Sequence, residues 1–274
     1  MALSIFMLIL ILGSTISARK DLDRLINGEA AQFMQFPHQV YYLKYITKTG
    51  WVHPCGGSII SKRIILTAAH CVSDKFKYLL IFLGKTNLDN EYEKGQQCFL
   101  LGRSRVIIHE EFDGHTLLND IALIKMRYDI KFSEFIQPAS LPMEELDYVN
   151  QTAVVSGWGS IIHDYNPKLH VGTKQLHHLN VTIISNEVCK KLVQEMVPAK
   201  PFTEAFICHR PTNGSPCNGD SGGPLILLDG SRTLVGITSH GVRGCDRYSP
   251  GIYTRISSYL GWIAKYENDT NFKR

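Results

Sequence analysis

Three short stretches carry side chains whose types and order could perform covalent chemistry. Thr67-Ala-Ala-His-Cys71 sets a histidine beside a cysteine just after a β-forming run. Asn119-Asp-Ile-Ala-Leu123 opens on a carboxylate and runs into an apolar strand, which would hold Asp120 against a core. Gly219-Asp-Ser-Gly-Gly-Pro224 surrounds Ser221 with glycines, leaving backbone N–H groups accessible and the hydroxyl uncrowded. Together these are the parts of an acyl-transfer site. A serine hydroxyl is a weak nucleophile until an imidazole removes its proton, and a buried carboxylate fixes the imidazole tautomer and stabilises its charged form. Adjacent amides of a tight glycine turn can bind the oxyanion. The chain has eleven histidines and strands often open on aspartate, so the first two stretches are weak alone; the six-residue serine stretch is specific.

The elements that must position these groups read as short β runs broken by turn residues: 39–45, 57–60, 64–67, 120–126, 153–156, 224–228 and 233–238. They are rich in β-branched and aromatic residues, with Gly, Asn, Asp and Pro between them. Strands dominate and helical periodicity is scarce, so an all-β sandwich or barrel is expected. A helix is expected at the carboxy end, where Ile256, Tyr259, Leu260 and Ile263 lie a turn apart behind Ser257-Ser258. The turn-rich run 137–142 is the candidate linker between two β units of similar size. A chain of 274 residues, 44% apolar and with 29 basic against 25 acidic residues, is no disordered polymer and has enough interior to fold. A formal charge of +4 without a long basic run argues against a nucleic-acid surface.

Residues 1–18 read as a secretory signal: an apolar run of about a dozen residues, shorter than the roughly 20 that span hydrocarbon, then small residues ending at Ala18. No further segment has the length and apolarity of a membrane span. Seven cysteines, none in C-x-x-C spacing, suit an oxidising compartment and not a zinc site. Secretion would expose the sequons at Asn150, Asn180 and Asn268 to glycosylation, whereas Asn213, three residues before Pro216, is a poor acceptor.

These motifs, in the order His, Asp, Ser, resemble the chymotrypsin/trypsin family of serine endopeptidases from about Arg24 to Tyr266. The resemblance implies two six-stranded antiparallel β-barrels with a C-terminal helix: an N-terminal barrel over 25–137, a C-terminal barrel and helix over 138–274, with 25–267 forming one peptidase domain. It implies His70 as general base, Asp120 as its orienting carboxylate, Ser221 as nucleophile, and the N–H groups of Gly219 and Ser221 as the oxyanion hole. Ser239 resembles the serine that hydrogen-bonds the catalytic aspartate. Cys55–Cys71, Cys189–Cys208 and Cys217–Cys245 resemble family bridges, while Ala153 and Leu227 replace both halves of a fourth. Cys98 is left over and is expected to be a semi-buried free thiol.

The same resemblance assigns 19–24 as an activation peptide cut after Arg24, freeing Leu25 to pair its ammonium with Asp220. Ser215 lies at the base of the substrate pocket, with Asn218 at its lip and Ser239, His240, Gly241 and Gly251 along its walls; Arg243 lies near the rim. A neutral base cannot stabilise a buried cation, so the pocket is expected to take large apolar or aromatic side chains. Because such an enzyme cuts poorly after arginine, a trypsin-like protease is the expected activator. Protein or peptide substrates and protein protease inhibitors are the expected partners of a secreted monomer, with no nucleic acid, membrane, metal or other cofactor. Lys85 stands where calcium-binding relatives carry a carboxylate, and Asp89, Glu91 and Glu93 read as a solvated face. Two alternatives stay open: a catalytically silent homologue that binds a partner through the same cleft, and a protease of trypsin-like specificity.

Overall fold

The computed structural model describes residues 28–143, 146–160, 172–212, 214–242, 245–246 and 248–267. The signal and activation segments, the Arg24–Leu25 junction, Arg243 and the sequons at Asn213 and Asn268 lie outside them.

The first half contributes β1 (Glu29–Ala30), β2 (Gln39–Ile46), β3 (Gly50–Ile59), β4 (Ile64–Thr67), β5 (Tyr78–Leu83), β6 (Gln97–Gly102), β7 (Val106–Ile108) and β8 (Ala122–Lys125). The second adds β9 (Thr152–Gly157), β10 (His177–Ile184), α1 (Asn186–Met196), β11 (Phe206–His209), β12 (Pro224–Leu227), β13 (Leu234–Gly241), β14 (Gly251–Arg255) and, behind a 3-10 turn at Ile256–Tyr259, α2 (Leu260–Glu267). The all-β reading and the terminal helix are therefore borne out.

All strand pairs are antiparallel. In the second half β9-β10-β11-β14-β13-β12 closes on itself, because β9 pairs with both β10 and β12; β1 adds to β10 from outside. The first half is a curled sheet in the order β6-β5-β2-β3-β4-β8-β7. Alternation sets the inward face: in β5, Leu79, Ile81 and Leu83 are buried and their neighbours half-buried. One apolar cluster runs from Val40, Ile65 and Leu123 through Ile226 and Ile237 to Tyr259 and Ile263, so the halves and the terminal helix share a core. Complete burial of such side chains contributes about 1.5–3 kcal/mol each. The expected linker crosses this seam: Gln137 N donates to Pro37 O at 3.0 Å, Ala139 N to Ile59 O at 2.8 Å, and Ser140 bridges Thr233.

The three expected disulfides are present. Cys98 is free, but it is exposed and not semi-buried, because it occupies an outward position of β6, a strand at the edge of its sheet. α1, which the sequence reading did not single out, starts behind Ser185, whose hydroxyl caps the Val188 amide at 3.2 Å. The acidic loop is not a purely solvated face either. Glu93 accepts hydrogen bonds from the amides of Thr86 and Asn87, and the buried Lys85 ammonium reaches Asn90 O and, at 2.9 Å, Gln96 Oε1. Asn150 and Asn180 are both exposed. No helix among the described residues is long and apolar enough to cross a membrane.

Candidate active site

His70 follows β4 directly, and the turn that carries it is pinned from both sides. Thr67 Oγ1 donates to Gly56 O at 2.8 Å and accepts from the Tyr42 hydroxyl at 2.9 Å; the Cys55–Cys71 bridge ties the far side to β3. Asp120 precedes β8 and is wholly buried, with its own carbonyl accepting from Thr254 Oγ1 at 2.8 Å. Its Oδ1 accepts from the His70 amide at 2.8 Å and its Oδ2 from His70 Nδ1 at 2.7 Å. Ser239 Oγ donates to the same Oδ2 at 2.5 Å. Burial alone would push this carboxyl up, but the His70 charge, the His70 donors and Ser239 hold it below its ordinary range. The bond to Nδ1 leaves Nε2 as the proton-accepting edge of the ring.

Ser221 arrives from the second half. Its carbonyl accepts from Gly56 N at 2.8 Å, so β3, which lies beside the His70 turn, also holds the serine loop. The Ser221 hydroxyl makes no hydrogen bond among the described residues, and His70 Nε2 lies 3.7 Å from Cys71 Sγ. In the loop, Asp220 N, Gly222 N and Gly223 N donate to Cys217 O, Thr238 O and Asp220 O. The amides of Gly219 and Ser221 donate to nothing among the described residues, and Gly219 adopts φ +102°, a backbone that glycine tolerates without strain. Two free N–H groups flanking a bound one are the donor pair that an oxyanion requires.

Asp220 itself points away from this face. It is buried, with Oδ1 accepting from Gly159 N at 2.8 Å and Oδ2 from Cys217 N at 2.9 Å. No cation among the described residues pairs with it, and burial pushes its carboxyl up to about 6.

Beside Ser221 opens a cavity of about 220 Å³ lined by Ser215, Asn218, Ser239, His240, Gly241 and Gly251 among others. Every pocket residue expected from the sequence is thus in one place. Ser215 is buried and donates to Pro216 O at 3.0 Å. The lining also includes Thr238, Cys245 and Ile252, which sequence reasoning missed. The space behind Gly251 is filled by the imidazole of His209, with which any side chain at 251 would collide. His209 Nδ1 bonds Arg210 O at 2.7 Å, and burial lowers its pKa to about 4, so it is neutral at pH 7. A histidine directly after Cys208, in a strand paired with Gly251, was the available signal for it.

The sequence pattern of the Trypsin family matches residues 25–263. The chain is 34% identical to "Chymotrypsin" of Phaedon cochleariae, over 87% of this chain and 80% of that one. It is 31% identical to "Serine protease filzig" of Drosophila melanogaster over 88% of this chain, but this spans only 14% of that longer protein. Among solved structures, that of HL collagenase superposes with a TM-score of 0.74 at 32% identity, covering 89% of this chain and 99% of the other.

Proposed function

From the premise that the chain belongs to the trypsin family of serine proteases, we propose that it is secreted as a zymogen and cleaves peptide bonds by a Ser221–His70–Asp120 acyl-enzyme mechanism after large apolar or aromatic residues. That it is a serine endopeptidase follows from the family. The observation that carries the mechanism is the doubly bonded Asp120–His70 pair, set across a seam from a serine whose neighbouring amides are free.

Ser221 Oγ attacks the scissile carbonyl carbon while His70 Nε2 takes the hydroxyl proton. The oxyanion is held by the amides of Gly219 and Ser221. His70 then passes the proton to the leaving amine as the carbon–nitrogen bond breaks, and water repeats the sequence to release the acyl group. Hydrogen bonds of this kind tighten when substrate binds, which suits the unengaged hydroxyl.

Activation is the cut after Arg24. The new Leu25 ammonium enters the interior and pairs with Asp220, whose buried carboxyl has no described cation partner and is costly to ionise unpaired. A neutral Ser215 floor and glycines at 241 and 251 in the lining support an apolar preference. The three disulfides support an oxidising destination.

The test is a fluorophosphonate label followed by peptide-library profiling, before and after treatment with trypsin. Labelling of Ser221 only after the cut, with cleavage after Phe, Tyr, Trp or Leu, is the expected result. No labelling of the cut chain would leave a binding module, and cleavage after Arg would overturn the pocket reading.

A further inference from the structure

The hydrogen-bond chain behind the catalytic histidine does not stop at Ser239. His240 Nδ1 lies 3.0 Å from Ser239 Oγ. In a regular strand these consecutive side chains would point to opposite faces. Here the pairing of β13 with β14 shifts between Thr238 and His240, and such a bulge re-aims side chains, letting the two meet.

Proton counting fixes the direction of each bond. Ser239 has one hydroxyl proton, and the 2.5 Å approach to a carboxylate oxygen requires it there. Its contact with His240 must therefore be donation from Nδ1–H to the serine oxygen. The remaining ring nitrogen, Nε2, is then a lone-pair acceptor, and it is buried with no hydrogen-bond partner among the described residues. We infer that His240 is a positioning residue for catalysis, whose Nδ1–H pins the Ser239 hydroxyl so that its proton is aimed at Asp120, completing a chain His240–Ser239–Asp120–His70. Bonds in such a chain polarise one another, so the donation from His240 strengthens the Ser239–Asp120 bond and leaves less of the carboxylate's charge for His70.

The charged and titratable groups around the chain are few. Lys200 lies near His240 and, after burial, adds to lowering its pKa to about 3, which keeps the ring neutral under working conditions. Phe206 of β11 packs edge-on against the His240 ring at 5.6 Å between centroids. Tyr42 and Tyr259 are the phenols that feel Asp120, and burial holds both above their ordinary range.

The inference rests on the protease reading, and its test separates the two. His240→Phe keeps a ring against Phe206 but cannot donate; His240→Asn places an amide N–H where Nδ1 was. Two quantities are read on the trypsin-cut chain: the low-pH midpoint of kcat/KM, and the low-field proton resonance of His70 Nδ1–H, which needs no turnover. With cooperative strengthening of roughly 10–30% per bond, His240→Phe is expected to raise the midpoint by about 0.3 pH unit and move the resonance further downfield. His240→Asn should restore both. An unchanged midpoint and resonance in His240→Phe overturns the inference, even if KM rises through a lost pocket contact, and so does an equal shift in both variants. His240→Trp, whose ring nitrogen is misplaced for Ser239, replaces the phenylalanine variant if that chain shows no cooperative melt. If the unsubstituted cut chain shows no turnover, the protease reading falls while the resonance still decides the role of His240.

Discussion

Replacing Asp220 by Asn in the intact, uncut chain should change how stability depends on pH, with a sign and size set by burial. The folded carboxyl sits at about 6 against an ordinary 3.8. The folded state thus holds its proton between pH 4 and 6 where the unfolded chain has lost it, so this group destabilises the fold as pH rises through that window, by about 3 kcal/mol. An opposing contribution comes from buried neutral histidines. His38 and His209 are lowered by burial from 6.5 to about 4. Their stabilisation is complete above about pH 6.5 and is lost as pH falls towards 4, also by about 3 kcal/mol apiece. The histidines win, so the whole chain weakens on acidification and Asp220 dampens the slope. The difference between the two chains isolates Asp220. Asn has one acceptor oxygen, so either the Gly159 or the Cys217 amide loses its partner at a pH-independent cost of about 1–3 kcal/mol. Urea unfolding at pH 4, 5, 6 and 7 should show the Asn chain gaining about 2.4 kcal/mol on the parent between the ends of the range, the rest of the effect lying below pH 4. A difference constant across pH would refute the reasoning, since it would mean that the carboxyl is not held protonated by the fold.

Asp120→Asn should lower kcat/KM by about four orders of magnitude, because the amide favours the wrong His70 tautomer; single-turnover acylation kinetics check it. Gly56→Ala would set a methyl 2.8 Å from Gly223 Cα, displacing the loop that carries Ser221. A roughly hundredfold loss of kcat/KM with a retained cooperative melt is expected, since small misplacements near the chemistry are that costly. Replacing Cys55 and Cys71 together by Ser opens a cross-link separated by 16 residues and should cost about 3 kcal/mol by urea unfolding. Cys98, exposed but with its thiol pushed up by burial against the opposing pull of Lys85, should react with a thiol reagent in the native state, slowly at pH 7 and faster as pH rises.

The candidate catalytic residues were legible because few side-chain types suit a nucleophile, its base and an orienting carboxylate, and the specific Gly219–Pro224 stretch marks Ser221 among them. Packing announces itself less. α1 carries Val188, Cys189, Leu192, Val193 and Met196 at helical spacing, a stripe that the sequence reading passed over; Cys189 and Val193 are its buried members. β3 carries Pro54, Gly56 and Gly57, which argue locally against a strand, and tertiary pairing with β2 and β4 overrides them. Nothing local in His177-His178 marks the first as inward, yet His177 is buried, with Nδ1 against Gln175 O at 2.7 Å, because strand pairing with β9 turns it inward. Closure of the second sheet depends on β10 pairing with both β9 and β11, a long-range choice that no local run encodes.

The glycines near the serine have a physical reason that single-sequence reading missed. They were read as openness around a nucleophile. Of these, Gly222, at φ +80°, is where a side chain would meet Thr67 and Gly56; beside the loop, Gly157 and Gly159 are places where any side chain would run into the Asp220 carboxylate. The absence of side chains brings backbone close enough to wrap a carboxylate in N–H donors and to lay the serine loop on β3. Openness on the substrate side and tight closure on the Asp220 side are therefore the two faces of one loop. Under the proposed activation, an ion pair formed at Asp220 acts on the immediate chain neighbour of each free amide, Gly219 on one side and Ser221 on the other, which is how a cut at residue 24 would govern chemistry at residue 221.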